Sequence, residues 1–208
     1  MPDSESPGLR LIAGLGNPGR EYEGTRHNAG FAVLDELASR LRVSFAKEAK
    51  WDAHVAKVPG SDLILLKPAT FMNLSGESVA GYARFYRIPH ASVLVVADDV
   101  ALPPGTIRLR REGGSGGQKG LESVLVHFAT EQVPRLRIGV GGASSGADLA
   151  GHVLSRFRPE ELPVIAEAVS RSAEAALCAV ERGLETAMNL YNALPATDKS
   201  QHQQTEQP

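Results

Sequence analysis

LRLIAGLGNPGREYEGTRHNAGFAVLDELASRLR, residues 9–42, holds the change of periodicity that decides the fold. Residues 9–13 are a short aliphatic run ended by Gly14, which predicts a strand. Phe31, Leu34, Leu37 and Leu41 then recur at helical spacing and predict a helix over about 29–42. Between the two lies a polar, glycine-containing segment that must fold over the strand end. The rest of the chain keeps this rhythm. Further strands are predicted at 54–58, 63–67, 93–97, 106–110 and 136–140. Helices are predicted over about 75–87, after Gly120, from Pro159 to Arg182 with Gly183 as the stop, and near 185–193. Strands alternating with helices imply a three-layer α/β/α single domain with a mixed, mostly parallel sheet, on which sites collect at the carboxyl ends of strands. The expected domain spans 9–193, and residues 1–8 and 194–208, which lack apolar periodicity, are expected to be flexible tails.

With 208 residues, 42% of them hydrophobic, the chain is long enough for one sizeable core. The formal net charge of −2 supplies no attraction of the whole molecule to nucleic acid, so a polyanionic partner would need a local basic patch. A single cysteine, Cys178, excludes an intramolecular disulfide and a cysteine metal cluster, which fits a reducing cytoplasm. The purest aliphatic runs, 63–66 and 93–97, fall far short of a membrane span, and the polar residues 1–10 do not read as an export signal. A cytoplasmic protein without membrane contact is expected.

Gly14-Leu15-Gly16-Asn17-Pro18-Gly19 matches the G-x-G-x-x-G dinucleotide fingerprint letter for letter. That fingerprint needs a helix opening within it, whereas Pro18 lacks an N–H and the helix is delayed to about Ala29. A tight loop is the better reading, and no nucleotide cofactor is expected. His27 stands just before the helix, where the positive end of the dipole favours the neutral imidazole, so it is a candidate general base. Asn73, between a strand and a helix, offers a donor and an acceptor for a water or a carbonyl, or serves as a helix cap. Asp98 and Asp99 end the VLVVA strand; alternation sends their side chains to opposite sides, so one at most faces a given site and orients His27. Arg108 and Arg110 lie two apart in a strand and form a fork suited to phosphate, with Lys119 and a glycine-rich loop beside them. The loop Gly113-Gly114-Ser115-Gly116-Gly117 also satisfies G-x-S-x-G, with Asp148 and His152 downstream, the alternative of a serine esterase. Against it, charged residues rather than a buried strand precede Ser115, and Asp148 and His152 stand only four apart.

Four ordered segments, NPG-x-x-Y-x-x-TRHN-x-G, KP-x-TFMNLSG, D-x-x-x-LPPG and R-x-GGSGG-x-x-GL, together resemble bacterial-type peptidyl-tRNA hydrolase over roughly residues 9–193. The resemblance implies a monomeric, metal-independent cytoplasmic esterase acting on peptidyl-tRNA, with His27 as catalytic base and Asp98 as its partner. It implies that Asn17 and Asn73 line the site and hold the peptide end or the attacking water, with Tyr22, Phe71 and Met72 at flanking substrate-binding positions. Arg108 and Arg110 match a pair that clamps tRNA phosphate, and Arg137 matches another tRNA-contacting position. One departure stands out: the family usually has His-Asn where this chain has Gln118-Lys119. Lys119 thus replaces a substrate-binding asparagine, and two outcomes are open: an ionic contact to tRNA phosphate in place of an amide hydrogen bond, or a lower activity. A non-catalytic RNA-binding homologue is the remaining alternative, opposed by the presence of His27, Asn73 and Asp98.

Overall fold

The structure, a computed structural model, describes residues 8–142 and 149–193. Apart from Gly8, the expected tails lie outside the described residues, as does Asp148. Seven strands form one sheet: β1 (Leu11–Gly14), β2 (Ala46–Glu48), β3 (Ala53–Lys57), β4 (Ile64–Pro68), β5 (Val93–Asp99), β6 (Ile107–Arg110) and β7 (Arg135–Gly139), in the order β2-β3-β4-β1-β5-β7-β6. The four central strands β4, β1, β5 and β7 run parallel. Antiparallel pairing attaches β3 and β2 at one margin and β6 at the other, so the sheet is mixed with a parallel centre. The described helices longer than one turn of 3-10 are α1 (Ala29–Leu41), α2 (Ser75–Phe85), α3 (Lys119–Phe128), α4 (Leu149–Leu154), α5 (Leu162–Arg182) and α6 (Leu184–Tyr191).

Strand alternation sorts the core into two layers. Ile12, Leu65, Leu94 and Val96 point to one face, where Val33, Leu34 and Leu37 of α1 and the small residues Ala168, Ala175 and Ala176 of α5 cover them. Leu11, Ala13, Val93, Val95 and Ala97 point to the other, against Val79 and Tyr82 of α2 and Leu121 and Val124 of α3. Each fully buried Leu, Val or Ile contributes about 1.5–3 kcal/mol relative to exposure. This sandwiching fixes the carboxyl ends of β1 and β5 side by side, since Gly14 is in register with Val96. The free edge of β6 is closed by a side chain: Leu109 N–H donates to Asn192 Oδ1 at 2.7 Å, and Asn192 Nδ2 returns a bond to the Leu109 carbonyl at 3.1 Å.

Two described elements have no counterpart among the expected ones. β2 is three residues of an edge strand, too short to show alternation, and α4 is six residues, less than two full turns of periodicity. The long helix begins at Leu162 rather than Pro159 because a second proline, Pro163, takes the first-turn position. The segment ahead of it instead forms a turn in which Glu161 accepts from the Arg158 N–H at 2.7 Å.

Candidate active site

β1 ends at Gly14, and the chain then makes two short 3-10 turns, Arg20–Tyr22 and Arg26–Asn28, before α1 starts at Ala29. No helix opens inside Gly14–Gly19, which removes the geometry that dinucleotide binding requires. His27 sits in the second turn, directly over the end of β5. Its Nδ1 lies 2.9 Å from Asp98 Oδ1 and 3.0 Å from Oδ2. The Asp98 side chain is 2% exposed and that of His27 12%, so solvent barely reaches the pair. A carboxylate on Nδ1 makes that nitrogen the donor of the neutral ring and leaves Nε2 as the acceptor.

Alternation at the end of β5 gives the two carboxylates different partners, although both residues line the same cavity, where the sequence implies one at most. Asp98 turns to His27, while Asp99 turns to β7 and accepts from Arg137 Nη1 at 3.0 Å and from the Ala101 N–H at 2.9 Å. A cavity of about 510 Å³ lies over this strand end, lined by Asn17, His27, Phe71, Met72, Asn73, Asp98, Asp99, the loop 115–119 and one side of α4.

The asparagines take distinct parts. Asn28 does not cap α1; its Oδ1 accepts from the Asn17 N–H at 2.8 Å and its Nδ2 donates to the Asn17 carbonyl at 3.0 Å. Asn17 Oδ1 in turn accepts from the Met72 N–H at 2.8 Å, which ties the loop after β1 to the turn holding Phe71, Met72 and Asn73. With its oxygen so engaged, Asn17 has only its Nδ2 donor left for the cavity. Asn73 is exposed to the cavity, and its side chain makes no hydrogen bond to another described residue. Tyr22 is half-buried in the first 3-10 turn and does not line this cavity.

The glycine-rich loop is held from below by two arginines. Arg135, absent from the residues expected at the site, is buried and donates to the carbonyls of Gly113 at 2.6 Å, Gly114 at 3.2 Å and Val133 at 2.7 Å. Burial, with the neighbouring Arg137 charge, pulls its guanidinium down to about 10, still protonated at neutral pH. Arg137 bridges Asp99 and the Gly114 carbonyl, the latter at 2.7 Å, and keeps a 20% exposed side chain. Register places Arg108 opposite Arg137 and Arg110 opposite Arg135. Arg108 and Arg110 are exposed, so one face of the sheet edge carries four guanidiniums, two engaged and two open. Lys119 stands at the start of α3, 69% exposed, with Glu122 Oε2 at 3.2 Å.

Ser115 and His152 do not form a nucleophile and base. The Ser115 hydroxyl accepts from the Gly117 N–H at 3.3 Å, and His152 Nε2 faces the Gly141 carbonyl at 2.8 Å. Among the described residues, no three His, Cys, Asp or Glu side chains gather as a metal-binding set, and no helix is long and apolar enough to cross a membrane.

α4 closes the cavity with Leu149, Ala150, Val153 and Leu154. Its far end is fastened beside the base. Arg26, with a 5% exposed side chain, forms a two-point ion pair with Glu161, Nη1 to Oε1 at 3.1 Å and Nη2 to Oε2 at 2.7 Å, and lies over the Phe157 ring. The Arg26 N–H also donates to the Ser155 carbonyl at 3.0 Å. Arg26 holds the Glu161 carboxyl below the usual carboxylate range. Because the folded value is the lower one, the pair stabilises the fold at pH above the ordinary glutamate value of about 4.3 and ceases to do so as pH falls through the depressed one. Glu161→Gln is therefore expected to lower stability by about 1–2 kcal/mol at neutral pH, a Tm fall of roughly 2–8 °C. Thermal unfolding of both proteins across the acid range checks this: the gap should close toward the acid end, and a gap constant with pH would dissociate it from the ion pair.

Comparison with known proteins gives the family of the chain. The family model described as peptidyl-tRNA hydrolase matches residues 11–202. The chain is 49% identical over 188 residues to the peptidyl-tRNA hydrolase of Caldanaerobacter subterraneus subsp. tengcongensis, covering 88% of this chain and 100% of the relative. It is 50% identical over 186 residues to that of Geobacillus thermodenitrificans, with 88% and 100% covered. The crystal structure of peptidyl-tRNA hydrolase from Acinetobacter baumannii superposes with a TM-score of 0.84 at 36% identity, over 89% of this chain and 95% of that one.

Proposed function

For a chain that belongs to the peptidyl-tRNA hydrolase family, we propose hydrolysis of the ester between a peptide and the terminal ribose of tRNA, with His27 as the general base. The observation that carries the reading is the pair His27–Asp98 beneath the cavity, Nδ1 committed to the carboxylate and Nε2 left to take a proton. Water held by Asn73 loses a proton to Nε2 as its oxygen attacks the ester carbonyl; Asp98 stabilises the imidazolium that forms. Asn17 Nδ2 is the donor nearest in kind to what the carbonyl oxygen needs as it gathers negative charge. When the C–O bond breaks, the imidazolium returns its proton to the departing ribose oxygen. The products are tRNA with a free 3′ end and a peptide carboxylic acid, which gives its proton to solvent to become the carboxylate, and no acyl-enzyme forms.

Phe71, Met72 and the apolar side of α4 supply the walls for the peptide, and Tyr22 acts from outside the cavity by shaping the loop before His27. The exposed pair Arg108 and Arg110 takes tRNA phosphate, Lys119 adds an ionic contact at the cavity mouth, and Arg137 acts chiefly as the brace between Asp99 and the glycine loop. On this reading the protein works as a cytoplasmic monomer without metal or cofactor. Release of free tRNA from a defined peptidyl-tRNA by the purified chain tests the activity; a rate no greater than that in buffer would refute it. Replacing Arg108 and Arg110 together by alanine is expected to weaken tRNA binding while leaving kcat within about twofold. The slope of log Kd against log salt should shrink by roughly 0.7–0.9 for each phosphate no longer neutralised. An unchanged slope would move the phosphate site elsewhere.

A further inference from the structure

Gln118 joins the loop, the catalytic carboxylate and a helix through one side chain. Its Oε1 accepts from the Leu121 N–H at 2.6 Å, capping α3. Its Nε2 donates to Asp98 Oδ1 at 3.0 Å and lies 3.2 Å from Met72 Sδ. Because the cap fixes which end of the amide is oxygen, the end that meets Asp98 can only donate. Asp98 therefore receives two N–H bonds, one from Gln118 and one from His27 Nδ1.

Resting on the reading of His27 and Asp98 given above, we propose that Gln118 is a positioning residue: it fixes the Asp98 carboxylate in the orientation His27 requires, and does so without a titratable group. The charged and titratable groups around Asp98 are few. His27 faces it from the turn before α1. Asp99 on β5 also lines the cavity and is paired with Arg137 of β7. Lys119 of α3 is exposed and paired with Glu122. α4 and the turn Met72–Leu74 bring no charge to the cavity.

The test separates capping from clamping. Gln118→Ser keeps a good N-cap but is too short to reach Asp98. Its Tm and KM should stay near wild type while kcat falls about tenfold, the scale on which a hydrogen-bond partner that orients a working group matters. Gln118→His, whose ring can also donate an N–H to Asp98, should restore much of kcat. Wild-type kcat in Gln118→Ser, or no recovery of kcat in Gln118→His, would overturn the proposal. Should His27→Ala keep wild-type activity in the same assay, the underlying reading fails instead, so the two failures are distinguishable.

Discussion

Replacing His27 by alanine is expected to lower single-turnover hydrolysis of a peptidyl-tRNA by about 10²–10⁴-fold, the range that a positioned general base contributes. Binding of tRNA should remain within about twofold, because the exposed Arg108 and Arg110 lie on the far margin of the sheet and the imidazole is hydrogen-bonded to Asp98. Asp98→Asn should follow the same direction. An amide whose oxygen stands where Oδ1 does still accepts from His27 and Gln118, but its NH₂ then takes the Oδ2 position 3.0 Å from His27 Nδ1, setting donor against donor, and it no longer stabilises the imidazolium. A rate unchanged in His27→Ala would remove the base from the mechanism, while an effect confined to KM would make His27 a binding group.

The second large effect is on the fold. Gly30, in the first turn of α1, lies against the sheet so closely that an added Cβ would stand 2.5 Å from the carbonyl oxygens of Leu15 and Val96 and 2.6 Å from Leu15 N. These are backbone atoms of the very strand ends that carry the site, and they have no rotamer by which to withdraw. Gly30→Ala is expected to cost about 3 kcal/mol or more, a Tm fall of roughly 6–12 °C. The helix can yield only by lifting, which pulls His27 from Asp98, so residual activity should fall further than stability accounts for. Gly8→Ala, where nothing lies within 4 Å, is the control and should stay within about 0.5 kcal/mol. Equal melting of the Gly30→Ala variant and wild type would mean that α1 does not sit on the sheet as described.

Legibility in the sequence follows the range of the interactions. β1, β4, β5 and α1 are readable because burial on two faces writes runs and periodicities into the residues themselves, as in Leu11–Gly14 and Val93–Asp99. β2 and α4 are not, since neither is long enough to carry a period. His27 and Asp98 are legible from where they fall relative to their elements, and the structure joins them at 2.9 Å. The division of labour between Asp98 and Asp99 is half legible: alternation separates the two, but only the packing of β7 beside β5 tells which one meets Arg137. Asn28, Arg26, Gln118 and Arg135 give no such sign of their parts because their partners, Asn17, Glu161, Asp98 and the carbonyls of the glycine loop, are brought to them by tertiary structure. For Arg135 a weaker signal exists: Arg135 and Arg137, two apart in a strand, share a face just as Arg108 and Arg110 do.

The charge balance also reads differently once the sheet edge is known. A chain of net charge −2 gathers four guanidiniums on one face of β6 and β7, and uses two of them to brace the loop that reaches the cavity. The same strands thus support the site and, on the function proposed above, present Arg108 and Arg110 to tRNA phosphate.

Everything in this mechanism turns on one imidazole, oriented by Asp98, taking the proton from water. Its sharpest test is the pH dependence of single-turnover peptidyl-tRNA cleavage by wild type and His27→Ala, with enzyme in excess so that binding and product release drop out. Wild type should show a one-proton acid limb that is absent from the residual rate of the variant. An acid limb of the same position and slope in both proteins would rule His27 out as the base.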